Sequence, residues 1–400
     1  MKVAVVGAGV VGVLTAHYLR ASGHQVMVFD GESGPAELTS KANGAQLSYS
    51  YTDAMGSPSL LSKLPGILLG RDPAFKVSPS LSPNMAKWGL QFLKNCSASR
   101  SESNTLELQK LALQSAQLME DFCGRFGEDI SYRKAGKLVL LSSAPDESCK
   151  AITQKKRALG CDVRLIQPDE VFALEPNLKQ WNTDIAGALY SPIDASGDAF
   201  LFSKILCKEL EEKGVEFNWN ARVTELVSQN GKLAGVQCQD EFHQCDAAVI
   251  CTAEDHQGIL KKVGVRLPIL PVAGYSITLP SKSTCPNASI TALDAKTVFC
   301  RLGDQVRIAG FADINISPER KDERVESLVN IAKNVAPDIA DYSAEDIHSW
   351  MGYRPVTPNS LPICSETNVS GLHINIGHGA LGWTLAAATA KQVSDNLWNL

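Results

Sequence analysis

The chain has 400 residues, 44% hydrophobic and 20% charged, enough to bury the cores of two or three domains. That balance excludes a disordered, collagen-like or polytopic membrane chain and predicts a folded soluble enzyme. Thirty-eight Lys and Arg against 43 Asp and Glu leave a formal charge of −5, so no global basic field exists to hold nucleic acid.

In chain order, residues 2–6 read as a short apolar strand, 7–12 as a glycine turn, 13–22 as a helix closed by Gly23, and 25–30 as a second strand. Lys2 ahead of an apolar run imitates an export signal, but Gly7, Gly9 and Gly12 interrupt the run and no small-residue cleavage site follows. Residues 105–126 keep one helical face through Leu108, Leu111, Ser115, Leu118 and Phe122, and 137–141 form a strand. A helix at 200–213 stops at Gly214 and leads to strands at 215–219, 221–228 and 233–238, the last two joined at Asn230-Gly231; 246–251 is a buried strand. Pro268 and Pro271 mark a boundary. Beyond it, 274–279, 297–302 and 305–311 read as antiparallel strands, 324–334 as an amphipathic helix, 372–376 as a strand and 381–397 as a closing helix. Residues 371–390 hold four glycines, two histidines and an asparagine, too polar a set for a spanning helix. The eleven cysteines form no C-x-x-C and no zinc-type pairing with histidine, which predicts buried thiols, a reducing cytoplasmic compartment and no metal site.

Gly7-Ala8-Gly9-Val10-Val11-Gly12 fits G-x-G-x-x-G directly after a strand and at the opening of a helix, with Asp30 closing the next strand. Gly7 permits the tight turn, Gly9 lets N–H groups approach a pyrophosphate, Gly12 lets helix and strand pack closely, and Asp30 accepts from a ribose diol. The motif alone does not separate NAD from FAD. A second glycine turn, Gly377-His378-Gly379-Ala380-Leu381-Gly382-Trp383-Thr384, aims the positive end of the closing helix at one spot. A helix end there would stabilise the negative charge of a reduced flavin.

At these two segments the chain resembles the FAD-dependent amine oxidoreductases of the D-amino-acid oxidase superfamily, and within it the small-subunit type of bacterial D-amino acid dehydrogenase. The likeness runs through TSKANGAQLS, DASGDAFLF, PVAGYSITLP, VRIAGFAD and GYRPVTPNSLPI in the expected order. It implies a Rossmann-like α/β FAD-binding domain of discontinuous pieces, 1–48, 193–268 and 349–400, and an α+β antiparallel-sheet substrate domain of 49–192 and 269–348. It also implies FAD, oxidation of an amino acid at the α-carbon, and an imino acid that hydrolyses to a 2-oxo acid and ammonia. Ser40, Asn43, Gln46 and Leu47 match the flavin-lining stretch, Val223 the adenine side, and Arg354 the arginine that pairs with the substrate carboxylate. Bidentate binding by a guanidinium that never loses its charge suits that role. Tyr275 and Tyr51 are further candidates as hydroxyl donors. Gly352 stands where related sarcosine oxidases carry a flavin-linked cysteine, which implies noncovalent FAD. The family's A-x-G strand end reads Cys251-Thr252-Ala253 here.

Residues 57–96 hold five of the 19 prolines, clusters of leucine and isoleucine, and Lys63, Arg71, Lys76, Lys87 and Lys94 against Asp72. Two readings fit: a peripheral contact with anionic lipid on the inner face of the cytoplasmic membrane, or a loop of the substrate domain. The first suits a dehydrogenase of D-amino acids that reduces quinone. An oxygen-reducing oxidase of glycine, sarcosine or another secondary amine, and a flavin-binding subunit of a hetero-oligomeric proline or hydroxyproline dehydrogenase, are the rival functions.

Overall fold

The computed structural model describes residues 1–78, 82–253, 256–315, 321–344 and 347–398. Residues 79–81 of the 57–96 segment lie outside that set. In Lys2–Val6, Val3 and Val5 point to one face and Ala4 and Val6 to the other; all four are buried, so this strand is covered on both sides. It lies within a six-stranded sheet ordered Ile363–Glu366, Leu372–Ile376, Ala247–Ile250, Lys2–Val6, Gln25–Phe29, Glu216–Asn218. Neighbours are parallel except for the antiparallel edge pair that opens the order. The Val3 and Val5 face is covered by the helices Val10–Ala21, Ala199–Glu212 and Gly382–Trp398 through Leu14, Phe202, Leu206 and Ala386. Burying each of the larger of these side chains contributes about 1.5–3 kcal/mol. The opposite face takes the three-stranded meander Val223–Gln229, Lys232–Cys238 and Glu241–Gln244, packed through Leu226, Leu233 and Val236.

A second sheet is ordered His348–Val356, Leu270–Pro280, Gln305–Ile314, Thr297–Leu302, Ser289–Ala292, Lys137–Leu141, Gly187–Ser191, Arg164–Ile166, with Phe75–Val77 added beside Gln305–Ile314. It is mixed rather than purely antiparallel. Ser289–Ala292 runs parallel to Lys137–Leu141, and Phe75–Val77 runs parallel to Gln305–Ile314, both through long crossovers. Pro271 does not end an element: it is the second residue of Leu270–Pro280 and pairs opposite Pro355, near strand ends where a missing N–H costs least. Residues 349–356, expected with the cofactor-binding pieces, are hydrogen-bonded into this second sheet.

The segment expected to be proline-broken contains two helices, Pro58–Leu68 and Pro83–Asn95. Each opens on a proline whose absent N–H is not needed there, and the Ser57 side chain caps Leu60 N–H at 3.3 Å. The helix Ala98–Phe126 starts earlier than its sequence periodicity suggests and packs Met119, Phe122 and Cys123 into the core of the first sheet. All eleven cysteines are free and nine are buried. Among the described residues no helix is long and apolar enough to cross a membrane, and no group of side chains is arranged to hold a metal ion.

Candidate active site

The first glycine turn is built by backbone geometry. Gly7 has φ +102°, a conformation that a side chain would strain, and a Cβ there would meet Thr252 N at 2.9 Å. The strand end at Cys251-Thr252-Ala253 therefore approaches the turn closely without the family's glycine. Gly12 admits no side chain either, since its Cβ would lie 1.8 Å from the Gly7 carbonyl oxygen. The helix Val10–Ala21 has no side-chain cap from Gly9, and the Ser40 hydroxyl accepts Val10 N–H at 3.2 Å. Asp30 takes Ala8 N–H on one oxygen at 2.6 Å and Glu32 N–H on the other at 2.9 Å. Burial raises its pKa, and these two bonds work against the rise. Each carboxylate oxygen keeps a second lone pair for another donor.

This turn opens into a cavity of about 380 Å³ between the two sheets, bordered by Asp30 and Glu32, by the Gly379 turn, and by Gly274, Phe311 and Arg354 of the second sheet. Arg354 lies across Gly274, whose Cβ would sit 2.2 Å from the guanidinium carbon. Its Nη1 donates to the Phe311 carbonyl at 2.7 Å, and no carboxylate of the described residues pairs with it. Asp313, the acid next to this strand pairing, is instead held by Arg324, whose Nε and Nη2 reach the two carboxylate oxygens at 2.8 and 2.9 Å in full burial. Desolvation lowers the pKa of Arg354, with Asp313 opposing, yet a guanidinium starts so high that it stays charged. Arg354 is thus a cation committed to a carbonyl on one side only, facing a cavity.

Of the residues singled out in the sequence, Gly7, Gly9, Val10, Val11, Asp30, Ser40, Asn43, Gln46, His378, Gly379, Gly382, Trp383, Tyr275 and Arg354 line this cavity. The others do not. Gly12 packs under Gly7, Leu47 and Val223 are core residues, Leu381 packs near Leu108 and Leu385, and Gly377 sits against Thr357. Thr384 accepts Ser48 N–H at 3.1 Å instead of facing the cavity. Tyr51 is not among the cavity-lining residues; the ammonium groups of Lys137 and Lys156 each lie 4.8 Å from its ring centre. Tyr275 is buried, and its hydroxyl finds no hydrogen-bond partner of good geometry among the described residues. Burial, together with the nearby Asp313 carboxylate, raises its pKa, so the phenol keeps its proton.

Sequence reasoning missed Gly274, Lys296, Phe311 and Trp350 on the cavity wall. The VAGYS and IAGFAD segments carried the signal for Gly274 and Phe311, whereas Lys296 sits in a turn with no motif. A polar network lies behind the wall: Lys137 Nζ donates to Gln46 Oε1 at 3.1 Å and Ser48 Oγ at 2.8 Å, and Gln46 Nε2 donates to Ser289 at 2.6 Å. Burial lowers the Lys137 pKa and raises that of neighbouring Asp194. His378 donates to or accepts from Thr389 at 2.9 Å, and its burial lowers its pKa to about 4, so it is neutral at pH 7.

A strand–glycine turn–helix unit with its acid, in a mostly parallel sheet covered on both faces, is the frame of a dinucleotide-binding fold. The model of the FAD dependent oxidoreductase family matches residues 2–396, and the chain belongs to that family. It is 34% identical over 411 residues to the D-amino acid dehydrogenase 2 of Ralstonia nicotianae, covering 99% of this chain and 96% of that one. It is 35% identical over 409 residues to the D-amino acid dehydrogenase of Paramagnetospirillum magneticum, covering 99% and 94%. Its fold is similar to the glycine oxidase of Bacillus cereus, with TM-score 0.72 and 19% identity over 99% of this chain and 94% of that one. The L-proline dehydrogenase of P. horikoshii has TM-score 0.70 at 18% identity, covering 99% and 92%. The turn fits the pyrophosphate of FAD, because Gly9 at the N-terminus of Val10–Ala21 carries no side chain to block an anion and the Gly7–Gly12 contact admits no Cβ.

Proposed function

We propose that the chain is a D-amino acid dehydrogenase of the small-subunit type, oxidising D-amino acids to imino acids that hydrolyse to 2-oxo acids and ammonia. The observation that carries this reading is Arg354, a guanidinium without a carboxylate partner laid over Gly274 on the wall of the cavity. The names of the full-length relatives support the substrate class. FAD, when bound, supplies the two-electron acceptor. Gly7, Gly9, Val10 and Val11 would hold its pyrophosphate, Asp30 its ribose, and Gln46 with the Gly379–Gly382 turn its ring. Gly352 offers no thiol, so the cofactor is held without a covalent bond. The cofactor unit comprises 1–48, 193–268 and the chain after the strand His348–Val356, and the remainder forms the substrate unit.

Arg354 binds the substrate carboxylate through the part of its fork that Phe311 leaves free, which fixes the α-carbon relative to the cofactor. Tyr275, which keeps its proton and lines the same cavity, is the proposed second donor to that carboxylate. The amine is oxidised in its neutral form, whose lone pair stabilises the charge developing as the α-hydrogen leaves.

The electron acceptor is a membrane quinone, and the attachment is peripheral. Leu68, Leu69 and Leu90, the most exposed large apolar side chains of the described chain at 64%, 68% and 64%, lie on the helices Pro58–Leu68 and Pro83–Asn95 or immediately after the first. Lys63, Arg71, Lys87 and Lys94 of the same segment are exposed and have no ion-pair partner among the described residues. A segment that carries both exposed apolar side chains and unpaired cations suits an anionic bilayer surface. Steady-state turnover of D-amino acids with a long-tailed quinone in liposomes, compared with oxygen uptake, tests the reading. Faster quinone reduction than oxygen uptake is expected, and oxygen uptake that matches or exceeds it would replace the dehydrogenase with an oxidase.

A further inference from the structure

A second cavity, of about 530 Å³, lies beside the helix Pro58–Leu68. Lys63, Gly66 and Ile67 line it from that helix, Arg71 from the turn that follows, Ile331 from the helix Lys321–Val335, and Lys296 from a turn of the second sheet; Asp72 and Asp294 add two carboxylates, the first paired with Lys296. Lys296 also lines the first cavity, so the two share a wall. Its ammonium is anchored there by Asp72 and lies 5.0 Å from the centre of the Phe75 ring.

Helical spacing puts Gly66 and Ile67 on one face of Pro58–Leu68 and Leu61 and Leu68 on the other. Leu61 and Leu68 are exposed, whereas Ile67 is buried. The helix therefore separates the cavity, which Lys63 faces together with Gly66 and Ile67, from an apolar outer surface of Leu61 and Leu68. Gly66 leaves room for a ligand, since a Cβ built there touches nothing within 4 Å.

We propose that this second cavity is the docking site of the quinone ring, with Lys63 and Arg71 donating to its carbonyl oxygens and the tail leaving by the open side of the cavity. The proposal rests on the reading of quinone as acceptor. The flat apolar ring with two opposed acceptors suits a cavity lined by Ile67 and Ile331 and edged by guanidinium and ammonium groups. The redox balance closes without another reactant. Oxidation of one amino acid to its imino acid releases two electrons and two protons, and these convert one quinone to its quinol while FAD returns to its oxidised form. The shared wall at Lys296 puts donor and acceptor cavities side by side.

The test uses the FAD-loaded enzyme on liposomes that contain anionic lipid. A photoreactive azidoquinone should crosslink to peptides within 58–74 or 293–296 or to the peptide that holds Ile331, and excess unlabelled quinone should suppress the crosslink. Gly66→Phe should fill the cavity, lowering kcat/KM for a long-tailed quinone at least tenfold while flavin content, liposome binding and reduction of a water-soluble dye stay at wild-type levels. Gly66→Leu serves as the milder variant should Phe impair folding. Crosslinks confined to other peptides, or full quinone activity in both variants, would overturn the site while leaving quinone as the acceptor. A wild-type enzyme that reduces the dye but not quinone would instead remove the acceptor reading on which the site depends.

Discussion

Gly274→Ala tests the arginine without touching it. The added methyl would lie 2.2 Å from both Cζ and Nη2 of Arg354, and comfortable carbon contacts begin near 3.5 Å, so the guanidinium must withdraw by about 1.3–1.8 Å. The obstacle is the far end of a flexible side chain and the site is in a strand that tolerates alanine, so the fold survives. Withdrawal also breaks the Nη1 bond to Phe311 at 2.7 Å. A misplacement of about 1 Å in a positioning group costs about 10²-fold, and complete loss of one partner of a buried charge pair costs about 2–5 kcal/mol, a factor of about 30–5,000. The expected result for Gly274→Ala is a fall in kcat/KM of about 10²-fold, carried mainly by KM, with normal flavin absorbance. Arg354→Ala should fall further and show the same KM bias. Steady-state dye reduction across amino-acid concentrations measures both. Wild-type KM in Gly274→Ala would refute the placement of the carboxylate at Arg354.

Gly12→Ala puts a methyl 1.8 Å from a backbone oxygen that cannot swing aside, so the purified variant should carry little or no FAD by absorbance, and full flavin content would contradict the packing. His378 is buried neutral with its pKa lowered to about 4, so between that value and about 6.5 only the unfolded chain takes up its proton, and stability falls as pH drops through this window. That fall contributes about 3 kcal/mol, and His378→Gln should show a shallower loss in urea unfolding between pH 7 and pH 4 than wild type; parallel curves would remove His378 as the cause. Replacing the exposed Leu68 and Leu69 by Ser should weaken binding to anionic liposomes in flotation assays while dye reduction is unchanged, and raised salt should weaken the wild type, since each surface cation contributes about 1 kcal/mol. Equal loss of dye activity would make this segment part of the active-site wall.

The strands at 137–141, 297–302 and 372–376 were legible to the residue because alternating or continuous apolar runs end on glycine or polar punctuation. The cofactor turn was legible because it is local: Gly7, Gly9, Gly12 and Asp30 need only one β-α-β unit to come together. Neighbouring positions in one motif part company for a simple geometric reason. Gln46 and Leu47 are neighbours on a strand, so one faces the cavity and the other the core. The placement of Arg354 over Gly274 depends on the pairing of Val272 with Arg354, strands distant in sequence, and no local pattern announces it. In the 57–96 segment Pro58 and Pro83 stand at the first turns of two helices, where a proline is tolerated, and Pro65 lies inside the first of them, so prolines that read as breaks do not end it.

On the proposed reading, Arg354 and the adjoining cavity would present the α-hydrogen of a D-amino acid to FAD. Anaerobic stopped-flow mixing of the purified protein with matched D and L enantiomers, glycine and sarcosine, followed by flavin absorbance, tests it most directly. Rapid bleaching by D-amino acids, saturating in substrate and slowed in Gly274→Ala, is the predicted result. Bleaching by L-amino acids or sarcosine but not by D-amino acids would contradict it.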